Sequence, residues 1–172
     1  MDFLQLAAAR RSIRNFADTP VPNEMIAKLL EIAHWAPSAG NLQPWRFYVV
    51  KNRETKNEIF EKCYPAQWIK KAPLLIVVAA DRNRSSSRYL ERGAELYCLQ
   101  DTAAAIQNIL LGAESLGLGS CWVGAFSEEA CADVLHLPTE VRPVAILPIG
   151  YAAEKPAGPG RAPVEQAVTW VE

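Results

Sequence analysis

Histidine is scarce, cysteine carries no pattern and charge is nearly balanced in this chain of 172 residues, and each shortage removes a class of function. Only His34 and His136 are present, and Cys63, Cys98, Cys121 and Cys131 show no C-x-x-C spacing. Neither a zinc site nor a thioredoxin-type redox pair is supported, so no metal is expected and the thiols read as buried and free. A net charge of −1 supplies no basic field, which argues against nucleic acid and anionic membranes as partners. No apolar run reaches membrane-spanning length, and the stretch from Met1 to Arg10 has no basic region ahead of an apolar one. A cytoplasmic protein with no membrane partner is expected. A Walker loop and a G-x-S-x-G elbow are both missing, and a Cys–His nucleophile pair has no local support. Gly117-Leu118-Gly119-Ser120 is only a fragment of the dinucleotide fingerprint, and it follows a helix where the fingerprint follows a strand.

What remains is a chain that is 50% apolar and long enough to bury a substantial core, with no internal repeat, so one domain over residues 1–172 is expected. Asp2 can cap a helix running to about Arg10. Pro22 and Asn23 open a second, whose Ile26, Leu29, Leu30 and Ala33 follow helical spacing until Pro37 ends it. Arg46 to Lys51 alternates like a strand, Arg53 to Cys63 reads as a helix, and Leu74 to Ala80 is a continuous apolar run suited to a buried strand. A long Ala- and Leu-rich pattern from Tyr89 to Leu116, closed by Gly117 and Gly119, predicts one central helix. Cys121 to Phe126 reads as a strand, Ser127 as the cap of a short helix to Leu135, and Val141 to Ile149 as a last strand. Residues 153–172 are expected to form an extended C-terminal arm. The stretch from Glu154 to Pro163 is too rich in Pro and Gly for regular structure, and Trp170 would be wasted on a lone monomer's surface.

Two segments carry the chemistry. Arg10, Arg11, Ser12 and Arg14 gather three guanidinium groups and a hydroxyl within five residues, a phosphate-matching set of donors. Arginines at a helix end also suit its dipole, a plainer explanation, but Ser12 and Arg14 favour anion binding. The second segment, Ala36 to Trp45, combines small residues, two prolines and two amides, so that a backbone can approach a planar ligand closely. Together they suggest a phosphorylated aromatic cofactor. His34 reads as a satisfied structural histidine, and Trp45 and Trp122 as packing residues.

In chain order, Arg-Arg-Ser-Ile-Arg (10–14), Ala-Pro-Ser-Ala-Gly-Asn-Leu-Gln-Pro-Trp-Arg-Phe (36–47), Leu-Gly-Leu-Gly-Ser-Cys-Trp-Val-Gly-Ala-Phe (116–126) and Leu-Pro-Ile-Gly-Tyr (147–151) resemble the nitroreductase family of FMN-dependent oxidoreductases. The resemblance covers nearly the whole chain. It implies an α+β fold with a mainly antiparallel central sheet flanked by helices, and a homodimer whose two FMN sites lie at the subunit interface, the C-terminal arm reaching the partner.

By the same resemblance, Arg10, Arg11, Ser12 and Arg14 would hold the FMN phosphate and ribityl side, with Arg161 closing over the phosphate. Pro37, Ser38, Ala39 and Asn41 of the second subunit would pack against the flavin ring. The backbone at Val123, Gly124 and Ala125 would approach its N5 and O4, and Gln67 is a further candidate neighbour. The chemistry would be the flavin's, with no catalytic side chain: ping-pong transfer of hydride from NADH or NADPH to a nitroaromatic, a quinone or a similar electron-poor ring. Gly124 stands where some larger members have an acidic side chain, which implies a more open or differently charged pocket. The family also contains branches that dehalogenate, dehydrogenate a metabolite or fragment the flavin, and a non-catalytic flavin-binding module is the reading from outside catalysis.

Overall fold

In the computed structural model the described residues are 2–172, so only Met1 of the expected domain lies outside them. The elements run α1 (Phe3–Ala9), α2 (Asn23–His34), β1 (Trp45–Val50), α3 (Arg53–Glu58), α4 (Gln67–Lys70), β2 (Leu74–Asp81), α5 (Arg82–Arg92), α6 (Cys98–Ser115), β3 (Gly119–Ser120), α7 (Glu128–Val134) and β4 (Val141–Gly150). The four strands form one antiparallel sheet in the order β1-β2-β4-β3.

Every residue of β2 is buried because the sheet is covered on both sides. Leu74, Ile76 and Val78 face one cluster with Leu29 and Ala33 of α2 and Ile106, Ile109 and Ala113 of α6. Leu75 and Val77 face the other, with Ile59, Ile69 and Cys131. A period-2 strand with apolar residues at both parities requires this helix–sheet–helix layering. The chain is thus α+β with a flanked antiparallel sheet, as expected, and all four thiols are free and buried.

Local signals explain the helix starts. Asp2 accepts the Gln5 N–H at 2.9 Å while Gln5 Oε1 accepts the Asp2 N–H at 3.2 Å, a reciprocal capping box. Asn52, Asp81 and Ser127 cap α3, α5 and α7 one way only, their side-chain oxygens accepting backbone N–H groups of the first turn.

Three expectations need correction. The central helix does not start at Tyr89 and run unbroken. Helix begins at Arg82, breaks at Leu90 (φ 50°), passes a wide π-helical turn over Gly93–Tyr97 and resumes as α6. Gly93 lies so close to Ser85 that a Cβ there would sit 2.3 Å from the Ser85 carbonyl oxygen, a contact that a straight helix does not allow. The helix after Asn52 likewise widens into a π-helical turn over Ile59–Cys63, and α4 was not anticipated.

The third correction concerns Cys121 to Phe126. Pairing starts earlier, at Gly119↔Gly150 and Ser120↔Ile149, and reappears in the same register only at Val123, which exchanges two 3.0 Å bonds with Ile146. Between them, Cys121 donates to the Pro148 carbonyl at 3.3 Å, and proline has no N–H to return the bond. Half a rung is missing, so the strand is interrupted, and pairing ends at Val123 instead of Phe126.

Candidate functional site

The segment after α1 is held in extended form against the sheet edge. Ile13 donates its N–H to the Ser120 carbonyl at 2.9 Å, Ser12 bridges Ser120, and the Ile13 side chain is buried. Alternation then turns Ser12 and Arg14 away from the core. The arm returns past this segment. Lys155 pairs with Glu114, and Gly158 packs so tightly on Arg11 that a Cβ there would lie 2.5 Å from its guanidinium.

A cavity of about 650 Å³ results, lined by Arg10, Arg11, Ser12, Arg14 and Arg161 together with small and proline residues of α1 and the arm. Four guanidinium groups thus share one wall with no carboxylate among the lining residues. None of the four takes part in an ion pair among the described residues. Arg11 is steadied by donating to the carbonyls of Ala8 (2.6 Å) and Arg10 (2.9 Å), and the Arg14 guanidinium lies 5.7 Å from the Trp68 ring centroid. Cationic donors left unpaired around a cavity suit a multiply charged anion such as a phosphate ester. Cys121 lies beneath, where burial pushes its thiol up against the opposing pull of Arg14 and a hydrogen bond with Ser12.

Pro37, Ser38, Ala39 and Asn41 do not line that cavity, and neither do Val123, Gly124 and Ala125. The first group forms a tight turn after α2. Gly40, Asn41 and Gln43 all have φ between 50° and 57°, a left-handed backbone that costs roughly 1–2 kcal/mol at each non-glycine residue. Internal bonds organise the turn: Ser38 Oγ accepts the Gln43 N–H at 2.9 Å, and Gln43 Nε2 donates to Asn41 Oδ1 at 2.9 Å. Ala39 donates its N–H to Asp101 Oδ1 of α6 at 3.0 Å. Gly124 has open space on its Cβ side, the nearest atom being Trp122 Nε1 at 3.8 Å.

Gln67 lies apart from the clamp, in a second cavity of about 670 Å³ shared with Phe16, Asp18 and the cations of Arg53, Lys56, Lys70 and Lys71. His34 Nδ1 accepts the Trp45 indole N–H at 3.1 Å, a pairing within the fold that is consistent with the structural reading of both. Trp122 is half-exposed beside the Glu128–Arg142 pair. Asp101 went unnoticed in the sequence, and Pro156, Ala157 and Pro159, read there only as part of an irregular arm, were not expected to line the cavity. A carboxylate in the first turn of the otherwise apolar α6 pattern, far from the Glu114 at its other end, was the available signal for Asp101.

A sequence model of the Nitroreductase family matches residues 7–71 and 61–151. A protein of Methanothermobacter thermautotrophicus, with the provisional name NADH dehydrogenase/NAD(P)H nitroreductase, is 39% identical over 91% of this chain and 80% of its own length. An FMN reductase [NAD(P)H] of Bacillus subtilis is 32% identical over 90% of this chain and 68% of its own. Among solved structures, an FMN-dependent nitroreductase of Clostridium difficile R20291 superposes with a TM-score of 0.84 at 26% identity, covering 99% of both chains.

Proposed function

This chain belongs to the nitroreductase family of oxidoreductases, and from that premise we propose that it binds FMN and uses NADH or NADPH to reduce nitroaromatics, quinones or similar electron-poor acceptors. The observation that carries the reading is the set of four guanidinium groups, none in an ion pair among the described residues, and one serine around a cavity of about 650 Å³. That donor set fits the cofactor's phosphate and ribityl hydroxyls in charge and in hydrogen-bonding type. The names of the B. subtilis and C. difficile proteins support FMN and NAD(P)H.

When bound, FMN supplies the two-electron chemistry, taking hydride from a nicotinamide and passing it to the acceptor. The protein's own residues hold and shield. Arg10, Arg11, Ser12 and Arg14 anchor the phosphate end, and Arg161 closes over it from the arm. Pro37, Ser38, Ala39 and Asn41 offer a small, polar-edged surface to the ring, and the open face of Gly124 lets backbone come near it, with Val123 and Ala125 on either side.

Two groups that one chain keeps apart, the clamp and the 37–41 turn, meet in a homodimer with the site at the interface. Trp35 (80% exposed), Leu4 (78%) and Trp170 (86%) are the aromatic and aliphatic surface that such a dimer would cover.

The test is the visible absorption of FMN-loaded protein under anaerobic conditions while NADH and then NADPH are added. Bleaching of the oxidised flavin band followed by recovery on adding a quinone is expected. Bound FMN that neither nucleotide bleaches would refute the reductase reading.

A further inference from the structure

We propose that Asp101 is the positioning residue for the turn that faces the flavin. The inference rests on the reading above, in which Ser38 and Asn41 meet the ring. All hydrogen bonds of residues 37–43 among the described residues stay within the turn except one, from the Ala39 N–H to Asp101 Oδ1 at 3.0 Å. That single bond ties the turn to α6, the helix packed across the sheet and α2.

Fold stability alone gives no reason for a carboxylate here. Asp101 is only 7% exposed, its Oδ2 has no partner among the described residues, and burial pushes its carboxyl up from the usual range against the pull of the Ala39 N–H. A buried acid with one bond and one orphan oxygen is a net burden on the fold, whereas the other buried polar side chain of α6, Thr102, has its hydroxyl satisfied by the Cys98 and Leu99 carbonyls. The turn has the opposite need. Asn41 and Gln43 occupy left-handed backbone that relaxes unless the surrounding structure holds it. Asp101 therefore acts through Ala39: it fixes the first residue of the short 3₁₀ turn over Ala39–Asn41, and with it the directions of Ser38 and Asn41 on either side.

FMN affinity, read by quenching of flavin fluorescence, tests this with the full-length chain. D101A should weaken FMN by about 10-fold or more, the size of losing a hydrogen bond to a charged group, whereas D101N keeps the acceptor and should stay within about threefold of the parent. Should D101A fail to fold, A39P removes the same bond from the other side. Ser38 is extended (φ −144°, ψ 152°), as a residue before proline must be, and position 39 is the first of the turn, where proline is accepted. The proline Cδ takes the place of the hydrogen aimed at Asp101 Oδ1, so A39P should lose at least as much affinity as D101A, and D101A/A39P, which removes that clash, should lose no more than A39P alone.

Independent, multiplying losses in the double variant would overturn the proposal, as would D101A with parental affinity. The S38A/N41A variant separates the premise from the proposal. If it keeps full affinity, the turn does not face the flavin and the inference falls with it; if it loses affinity while D101A does not, only the positioning role of Asp101 is refuted.

Discussion

Replacing Gly119 by alanine should damage the fold and the cofactor site together, because the two meet at Ile13. A Cβ at position 119 would lie 2.7 Å from Ile13 Cγ1, 2.8 Å from its Cβ and 2.9 Å from its Cγ2. A rotamer change relieves at most one of the two Cγ contacts, because isoleucine has a single hydrogen on Cβ, and it leaves the Cβ contact untouched, since Cβ moves only with the backbone. That contact is at least about 0.6 Å short of van der Waals distance. Ile13 is 2% exposed and cannot retreat into solvent, so the strand pairing of Ser12 and Ile13 with Ser120 must shift. Overpacking of this kind costs about 1–3 kcal/mol, and at this chain length each kcal/mol lowers the melting midpoint by roughly 2–4 °C. The displaced segment carries Ser12 and Arg14, so FMN affinity should fall as well. Thermal melts of the apo-protein and a flavin titration of G119A read the two effects. Gly124 is the internal control for stability: a Cβ there meets nothing closer than 3.8 Å, so G124A should melt within about 0.5 kcal/mol of the parent. G119A with an unchanged midpoint and unchanged FMN affinity would refute the claim that Ile13 pins the clamp.

R14A and R161A should each weaken FMN binding by about 1.5–3 kcal/mol in a fluorescence titration, as expected for charge-assisted contacts to phosphate; parental affinity in both would remove the clamp assignment. G124A, neutral for the fold, should reduce FMN affinity or slow its reduction by NADH in stopped-flow measurements if the ring approaches this backbone, and parental values for both would place the ring elsewhere. Glu128 accepts two bonds from Arg142, at 2.7 and 2.9 Å, which hold its carboxyl below the ordinary range. A depressed carboxyl stabilises the folded state above its unfolded value, about pH 4.3, and loses that contribution as pH falls through the folded value. E128Q should therefore be about 0.2–1 kcal/mol less stable than the parent at pH 7, by urea unfolding, with the gap narrowing below about pH 4. A gap of constant size would show that the pair's charge is not its source.

Strong local chemistry was legible in the sequence. Capping residues, the helical spacing of Ile26, Leu29 and Ala33, and the apolar run of β2 each bury or bond within their own element, so the fold class could be read from them. The elements that went astray depend on neighbours distant in sequence. Cys121 to Phe126 has strand composition, but whether its rungs form is decided by Pro148, on the other strand. Tyr89 to Leu116 has helical composition, but the break at Leu90 follows from the approach of Gly93 to Ser85. The site behaves likewise. Arg10 to Arg14 announce themselves by density, whereas the approach of Arg161 to them requires the arm's path, and the value of Asp101 lies in one bond spanning 62 positions.

The placement of residues 12 and 13 along β3 has a further consequence, for colloidal behaviour. β3 is an outer strand of the sheet, and an uncovered outer strand invites other chains to add to it. Here its free side is occupied by the chain itself, through the Ile13 N–H to the Ser120 carbonyl, and Arg10, Arg11 and Arg14 stand around that cover. A foreign strand approaching this rim meets backbone already bridged at Ser120 and arginines of like charge on any sister molecule. The stretch proposed to bind the cofactor's phosphate is thus also the one that covers this end of the sheet edge, so that a change made there for affinity bears on solubility as well.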